Sequence, residues 1–221
     1  MSRGFLKLCG YRPLGAGMGG PSSRAPKYLL VLDLDETLVH CSPHNLAVAR
    51  GATGGRGRLF SPTSLAPPPP DLKLEVRSSG ASERPGCMYA WKRPHLDVFL
   101  RVVSRWYEVA VFTSGRRCFA KPLIDLIDTN CVIGRRFYRD SCTAQSRAPS
   151  TGDLSVLGSE HFPMRTVLLD NQPRAVVQQA NVLPVRPFYA RDPHDSQLLD
   201  LLPVLLALTS CRDVRSVLGL R

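Results

Sequence analysis

The sequence predicts an α/β protein: a doubly wound, mainly parallel sheet flanked by helices, with a small β-hairpin inserted into it. Three observations predict this. Apolar, β-rich runs at 28–34, 108–115 and 166–173 lack the alternation of a half-wet strand, so they read as strands buried on both faces. Helical patterns lie between and after them, which calls for right-handed crossovers. Each run also ends in acids, hydroxyls or an amide: Asp33 and Asp35, Thr113 and Ser114, Asp170 and Asn171. Open parallel sheets bind ligands beyond the carboxyl ends of their strands, so three strands deliver polar groups to one edge.

Taken in order, residues 1–27 are rich in Gly, Pro and basic residues and read as a flexible tail. The single domain that follows, 28–221, opens on the first buried strand. A Gly- and Pro-rich insert at 42–70, ending in "PPPP", reads as a long loop; the prolines suit a stiff spacer or a ligand for a proline-binding module. "DLKLEVRS" (71–78) alternates like a half-exposed strand, and "CMYAWKRP" (87–94) pairs with it across a Gly-rich turn. Pro94 suits the first turn of a helix, and Leu96, Phe99, Leu100 and Val103 keep helical spacing after it. The second strand follows, then a helix over 118–128 and a short strand near 135–140. A helical turn at 152–158 leads to the third strand. Helices are expected at 196–210, with Pro203 inside, and at 212–220.

The chain has 221 residues, 43% of them hydrophobic, enough for one domain with a sizeable core. Its net charge is +11, but residues 1–27 carry five Lys or Arg and residues 42–70 carry three, with no acid in either segment. The excess therefore sits in the tail and the insert. These basic segments read as solvated arms or as contacts to acidic lipid or an acidic partner. Almost no aromatics interleave with them, so no nucleic-acid partner is expected. Seven scattered cysteines have no zinc spacing and no secretory signal precedes them, so reduced thiols are expected. No run approaches the ~20 apolar residues of a membrane span.

Two acids two residues apart at a strand end repel each other unless something positive compensates them. Asp33 is placed to attack a phosphate monoester, and Asp35 to give a proton to the leaving oxygen. A bound Mg²⁺ answers the charge problem. A plainer reading stands beside this one. Asp33 and Asp35 then mark a solvated turn with Thr37 as a helix cap, Thr113 is a turn residue, and Asp170-Asn171 is an Asx turn ahead of Pro173. Arg116 and Arg117 suit a solvated helix start or a contact to an acidic substrate. Tyr89 and Trp91 suit the hairpin core, and His40 a packed or hydrogen-bonded histidine.

The ordered set "DLDETLVH", "KRP", "FTS" and "LDN" resembles the haloacid-dehalogenase superfamily. Within it the set is similar to the C-terminal-domain phosphatase branch, above all its nuclear-envelope (Dullard) type, over about 28–41, 88–143 and 152–220. The resemblance implies a Mg²⁺-dependent protein serine/threonine phosphatase with an aspartyl-phosphate intermediate. Asp33 and Asp35 are then catalytic, and Thr113 and Ser114 bind phosphate. Asp33, the Asp35 carbonyl and Asn171 hold the metal, with Asp170 beside them. It also implies a phosphoserine or phosphothreonine protein substrate, lipin-like or polymerase-tail-like, and a small transmembrane regulatory subunit.

Two departures qualify the match. The family's lysine just before "Asp-Leu-Ser" is Gly152 here, and no lysine follows Lys121. Loss of that cation would lower the rate ~10²–10⁴-fold unless Arg116 or Arg147 substitutes for it. The alternative reading is thus a catalytically impaired phosphatase fold that binds a phosphoprotein or regulatory partner. The nuclear-envelope type also carries a membrane-embedding N-terminal segment, and no comparable apolar run precedes Lys27. Nuclear envelope or endoplasmic reticulum is implied by resemblance, with nucleus or cytoplasm left open.

Overall fold

The computed structural model describes residues 28–43, 68–76, 86–139, 153–157 and 163–219. The basic tail, most of the 42–70 insert, Arg147 and Gly152 lie outside the described residues. The main sheet has five strands, all paired in parallel, in the order β6-β5-β1-β7-β8. They are β1 (Tyr28–Leu32), β5 (Tyr107–Phe112), β6 (Ile133–Phe137), β7 (Thr166–Asp170) and β8 (Val182–Pro184). The chain enters at the centre, winds outward to β5 and β6, then returns to the other side through β7 and β8. β1 is therefore the switch point of a doubly wound sheet.

The continuous apolar runs are explained by burial on both faces. In β1, Leu30 and Leu32 join one core cluster while Leu29 and Val31 join another, and all four are at most 2% exposed. β5 divides the same way, Val109 and Val111 against Ala110 and Phe112. The first cluster takes in the apolar faces of α1 (Leu96–Val103), α2 (Arg117–Ile127) and α3 (Gln197–Leu208), together with Leu218 of the short α4 (Arg215–Leu218). The second is closed by the 3₁₀ turn Leu154–Leu157 and by Val176. Each fully buried Leu or Val contributes roughly 1.5–3 kcal/mol.

The inserted hairpin is present, as β3 (Leu72–Val76) antiparallel to β4 (Gly86–Lys92). It is the larger part of a three-stranded sheet, β2-β4-β3. The third strand, β2 (Val39–Ser42), starts directly after the acidic motif and pairs with β4. Nothing in "VHCS" marks a strand; it forms because the turn before it aims the chain along the open edge of β4. β8 is likewise only three residues and carried no periodic signal. The expectation of reduced thiols is corrected at one position: Cys131 is disulfide-bonded, while Cys41, Cys87, Cys118 and Cys211 are free. No helix among the described residues is long and apolar enough to cross a membrane.

Candidate active site

β5, β1 and β7 are adjacent, so the polar residues that follow them meet beyond their carboxyl ends. The Asp33 N–H continues the β1–β7 ladder by donating to Leu169 O at 3.0 Å, and the Thr113 N–H continues β5–β6 by donating to Phe137 O at 3.0 Å. Both residues are therefore held by sheet geometry rather than by loose loops.

After Asp33 the chain folds into a tight turn. Leu38 N and Val39 N both donate to Leu34 O, and Glu36 N donates to Val39 O at 2.7 Å. Glu36 takes the left-handed conformation, φ 58°, which a non-glycine residue adopts only under constraint. The constraint is visible: its carbonyl accepts the Phe188 N–H at 2.7 Å. The turn points Thr37 inward. This fully buried side chain donates to Asp33 Oδ2 at 2.9 Å, with Asn171 Oδ1 3.4 Å from the same hydroxyl. Thr37 thus orients the Asp33 carboxylate and does not cap a helix. On the other side, Thr113 donates to Asp35 Oδ2 at 3.3 Å and accepts the Gly115 N–H at 2.9 Å. Ser114 is exposed, and its carbonyl accepts Arg139 Nε at 2.5 Å. Asp170 accepts the Gln172 N–H at 2.6 Å, the Asx turn expected there, and Asn171 Nδ2 lies 3.4 Å from Glu36 Oε2.

The electrostatics follow from this crowding. Burial pushes the Asp33 carboxyl well above the ordinary range; Asp170 and Asp35 add to the rise and the Thr37 hydrogen bond opposes it. Burial also raises Asp170. Asp35 is raised by burial and by Glu36, while the Thr113 hydrogen bond and the Arg139 charge pull it back. Neighbouring acids that raise one another are short of positive charge, and a divalent cation between them would favour every charged form. Among the described residues, no three His, Cys, Asp or Glu side chains cluster as a metal site. The set expected here is instead mixed: the Asp33 carboxylate, the Asp35 main-chain carbonyl and the Asn171 amide oxygen, with Asp170 adjoining. These are hard oxygen donors of the kind Mg²⁺ takes, so the residues present fit that ion.

Sequence reading missed the support beneath this turn. Arg93, 1% exposed, donates through Nε and Nη2 to Asp195, both at 2.8 Å, and through Nη1 to Thr37 O at 3.1 Å. "KRP" marked Arg93 as part of a motif, but its partner is 102 residues away in an unremarkable loop. Arg139 was missed too; only its position after a strand could have flagged it. His40 is packed against Trp91 and Tyr189, as expected, yet its buried Nδ1 has no hydrogen-bond partner among the described residues.

Residues 28–215 match the model of the NLI interacting factor-like phosphatase family. The chain belongs to that family. It is 39% identical over 209 residues to CTD nuclear envelope phosphatase 1 of Xenopus tropicalis, covering 94% of this chain and 78% of that protein. It is 36% identical over 202 residues to nuclear envelope morphology protein 1 of Schizosaccharomyces pombe, covering 90% of this chain and 37% of that one. In three dimensions it is similar to fission yeast RNA polymerase II CTD phosphatase Fcp1 bound to beryllium fluoride, with a TM-score of 0.55 at 19% identity. That match covers 88% of this chain and 51% of the other, and it bears on the fold, which is haloacid-dehalogenase-like. As a member of this phosphatase family the chain is a phosphoprotein phosphatase. Membership favours turnover over the purely phosphoprotein-binding alternative that Gly152 raised.

Proposed function

We propose that this NLI interacting factor-like phosphatase is Mg²⁺-dependent, acts on phosphoserine and phosphothreonine in proteins, and works through an aspartyl-phosphate at Asp33. The observation that supports this best is the unequal treatment of two carboxyls in one turn. Asp33 is oriented by the buried Thr37 hydroxyl and Asp35 by Thr113 on the other side; burial raises both carboxyls, Asp33 the more, and a Mg²⁺ held at the Asp33 carboxylate would favour its charged form and leave the proton to Asp35. A nucleophile and a proton donor need that inequality. An Asp33 oxygen attacks phosphorus as the bond to the serine oxygen breaks, and Asp35 gives that oxygen its proton. Asp35 then takes a proton from water, which attacks phosphorus and returns Asp33 as a carboxylate with release of phosphate. The Thr113 hydroxyl, and Ser114 beside it, bind phosphate oxygens once substrate displaces the Thr113–Asp35 contact. Mg²⁺ held by Asp33, the Asp35 carbonyl and Asn171 supplies charge neutralisation when bound.

Relatives named for the nuclear envelope support a location at that membrane or the endoplasmic reticulum, and the family resemblance extends to lipin-like or polymerase-tail-like substrates and a small transmembrane subunit. Purified protein tests the core of this reading with an aryl phosphate and a phosphoserine peptide. Release of phosphate is expected with Mg²⁺, and is expected to vanish with a chelator or in Asp33→Asn. Equal background release by wild type and Asp33→Asn refutes it; tight phosphopeptide binding without release would return the non-catalytic reading.

A further inference from the structure

We infer that Glu36 is a positioning residue for the metal site: its carboxylate holds the Asn171 amide so that the oxygen, and not the nitrogen, faces Asp33. The inference rests on the Mg²⁺ reading above and adds a residue to it.

Glu36 is unfavourable where it stands, for two reasons. Its φ of 58° is left-handed, a conformation that glycine takes freely and a glutamate takes only with strain. Burial raises the Asp35 carboxyl, and the Glu36 charge beside it adds to the rise. Strain held in place at a site points to a role there. Both main-chain groups of Glu36 are fixed: the N–H donates to Val39 O and the carbonyl accepts the Phe188 N–H, each at 2.7 Å. The direction of its Cα–Cβ bond is therefore set, and its half-buried side chain meets Asn171, whose Nδ2 donates to Glu36 Oε2 at 3.4 Å.

Asn171 needs such a partner because an amide has two unlike ends of nearly equal shape. The chain around it is pinned by the Asx turn in which Asp170 accepts the Gln172 N–H at 2.6 Å, but that leaves the rotation of the amide undecided. Thr37 does not decide it either. Its hydroxyl is 2.9 Å from Asp33 Oδ2 and 3.4 Å from Asn171 Oδ1. The single hydroxyl proton goes to the nearer carboxylate, and the hydroxyl lone pairs accept from an amide NH₂ as readily as any other acceptor. With Thr37 and Asp33 alone, the NH₂ end would turn toward them and present hydrogens where a metal ligand is needed. A carboxylate on the far side attracts the NH₂ end and repels the amide oxygen. Glu36 is that carboxylate, and it sends the oxygen inward.

The test reads metal affinity and amide orientation separately. By calorimetric titration of the purified chain with Mg²⁺, Glu36→Ala should raise Kd about five- to thirty-fold, the worth of one hydrogen bond to a charged group. In an Asn171→Asp background both ends of the side chain are oxygens, so Glu36→Ala should leave Kd unchanged or lower it by removing a repelling carboxylate. An equal weakening in both backgrounds would mean that Glu36 acts by its charge alone, and overturns the inference. In metal-free protein, the nuclear Overhauser contact of the Asn171 NH₂ group is expected to Glu36 in wild type and to Thr37 in Glu36→Ala. An NH₂ group that keeps its place in the variant also overturns it. Glu36→Gly should lose the same affinity while holding or raising Tm, since glycine relieves the left-handed backbone; a Tm fall of more than about 4 °C would assign Glu36 to support of the fold instead. Absence of Mg²⁺ binding by wild type defeats the metal reading, and the metal-free NMR contact then still decides what Glu36 does to Asn171.

Discussion

Replacing Asp195 with Asn probes the support beneath the turn that carries Asp33 and Asp35. Arg93 and Asp195 are 1% and 6% exposed, and their two hydrogen bonds are both 2.8 Å. Asn keeps one acceptor but removes the charge, leaving a buried guanidinium short of a counterion. Breaking a buried pair from one side costs about 3–5 kcal/mol, and the retained acceptor places this variant near ~3. In a domain of this size each kcal/mol moves Tm by about 2–4 °C, so a fall of roughly 6–12 °C is expected by circular dichroism. Activity should fall further than stability, because the third Arg93 bond holds Thr37 O and Thr37 orients Asp33. Arg93→Met/Asp195→Leu should recover most of the lost Tm, since an apolar pair carries no stranded charge, but not the lost activity. A Tm change under about 2 °C in Asp195→Asn, or a double variant as unstable as the single, would refute the reasoning. The pair also predicts a pH window. Burial alone would raise the Asp195 carboxyl, but the Arg93 hydrogen bonds and charge outweigh it and hold the pKa below the ordinary range. A depressed folded pKa contributes stability above the unfolded value of about 3.9, lost as pH falls through the folded value. The stability gap between wild type and Asp195→Asn should therefore be full at neutral pH and shrink only below about pH 4.

Three further substitutions test the site itself. Thr37→Val conserves shape in a fully buried position but removes a hydrogen bond to a carboxylate; a bond of that kind contributes about 1.5–3 kcal/mol, so kcat should fall roughly 10- to 100-fold in steady-state assays. Gly115→Ala puts a methyl 3.1 Å from Thr113 Oγ1 and 3.8 Å from Asp35 Oδ2, which should lower kcat/KM by about tenfold or more while circular dichroism reports an intact fold. Gly152→Lys restores the cation that the family motif carries and should raise kcat on an aryl phosphate by about tenfold or more; an unchanged rate would mean that the existing arginines already supply the charge.

By itself, the sequence determined the parallel sheet and its polar carboxyl edge. Short apolar, β-rich runs bounded by turn residues fit strands buried on both faces, and Asp33, Asp35, Thr113, Asp170 and Asn171 sit at the ends of those runs by their order along the chain. Their convergence follows because three parallel strands share one carboxyl edge. Such signals are local, since each needs only the neighbouring residues to be read. Tertiary structure alone decided what holds these groups in place. β2 and β8 are too short to carry a periodic pattern, and they form because open strand edges beside them have unpaired N–H and C=O groups. The left-handed Glu36 is imposed by Phe188, and the buried charge of Arg93 is answered by Asp195. Arg139 reaches the Thr113 loop only because β6 lies next to β5. These partners are tens of residues or more apart, and hydrogen-bond and Coulomb energies depend on distance in space, which the order of residues does not encode.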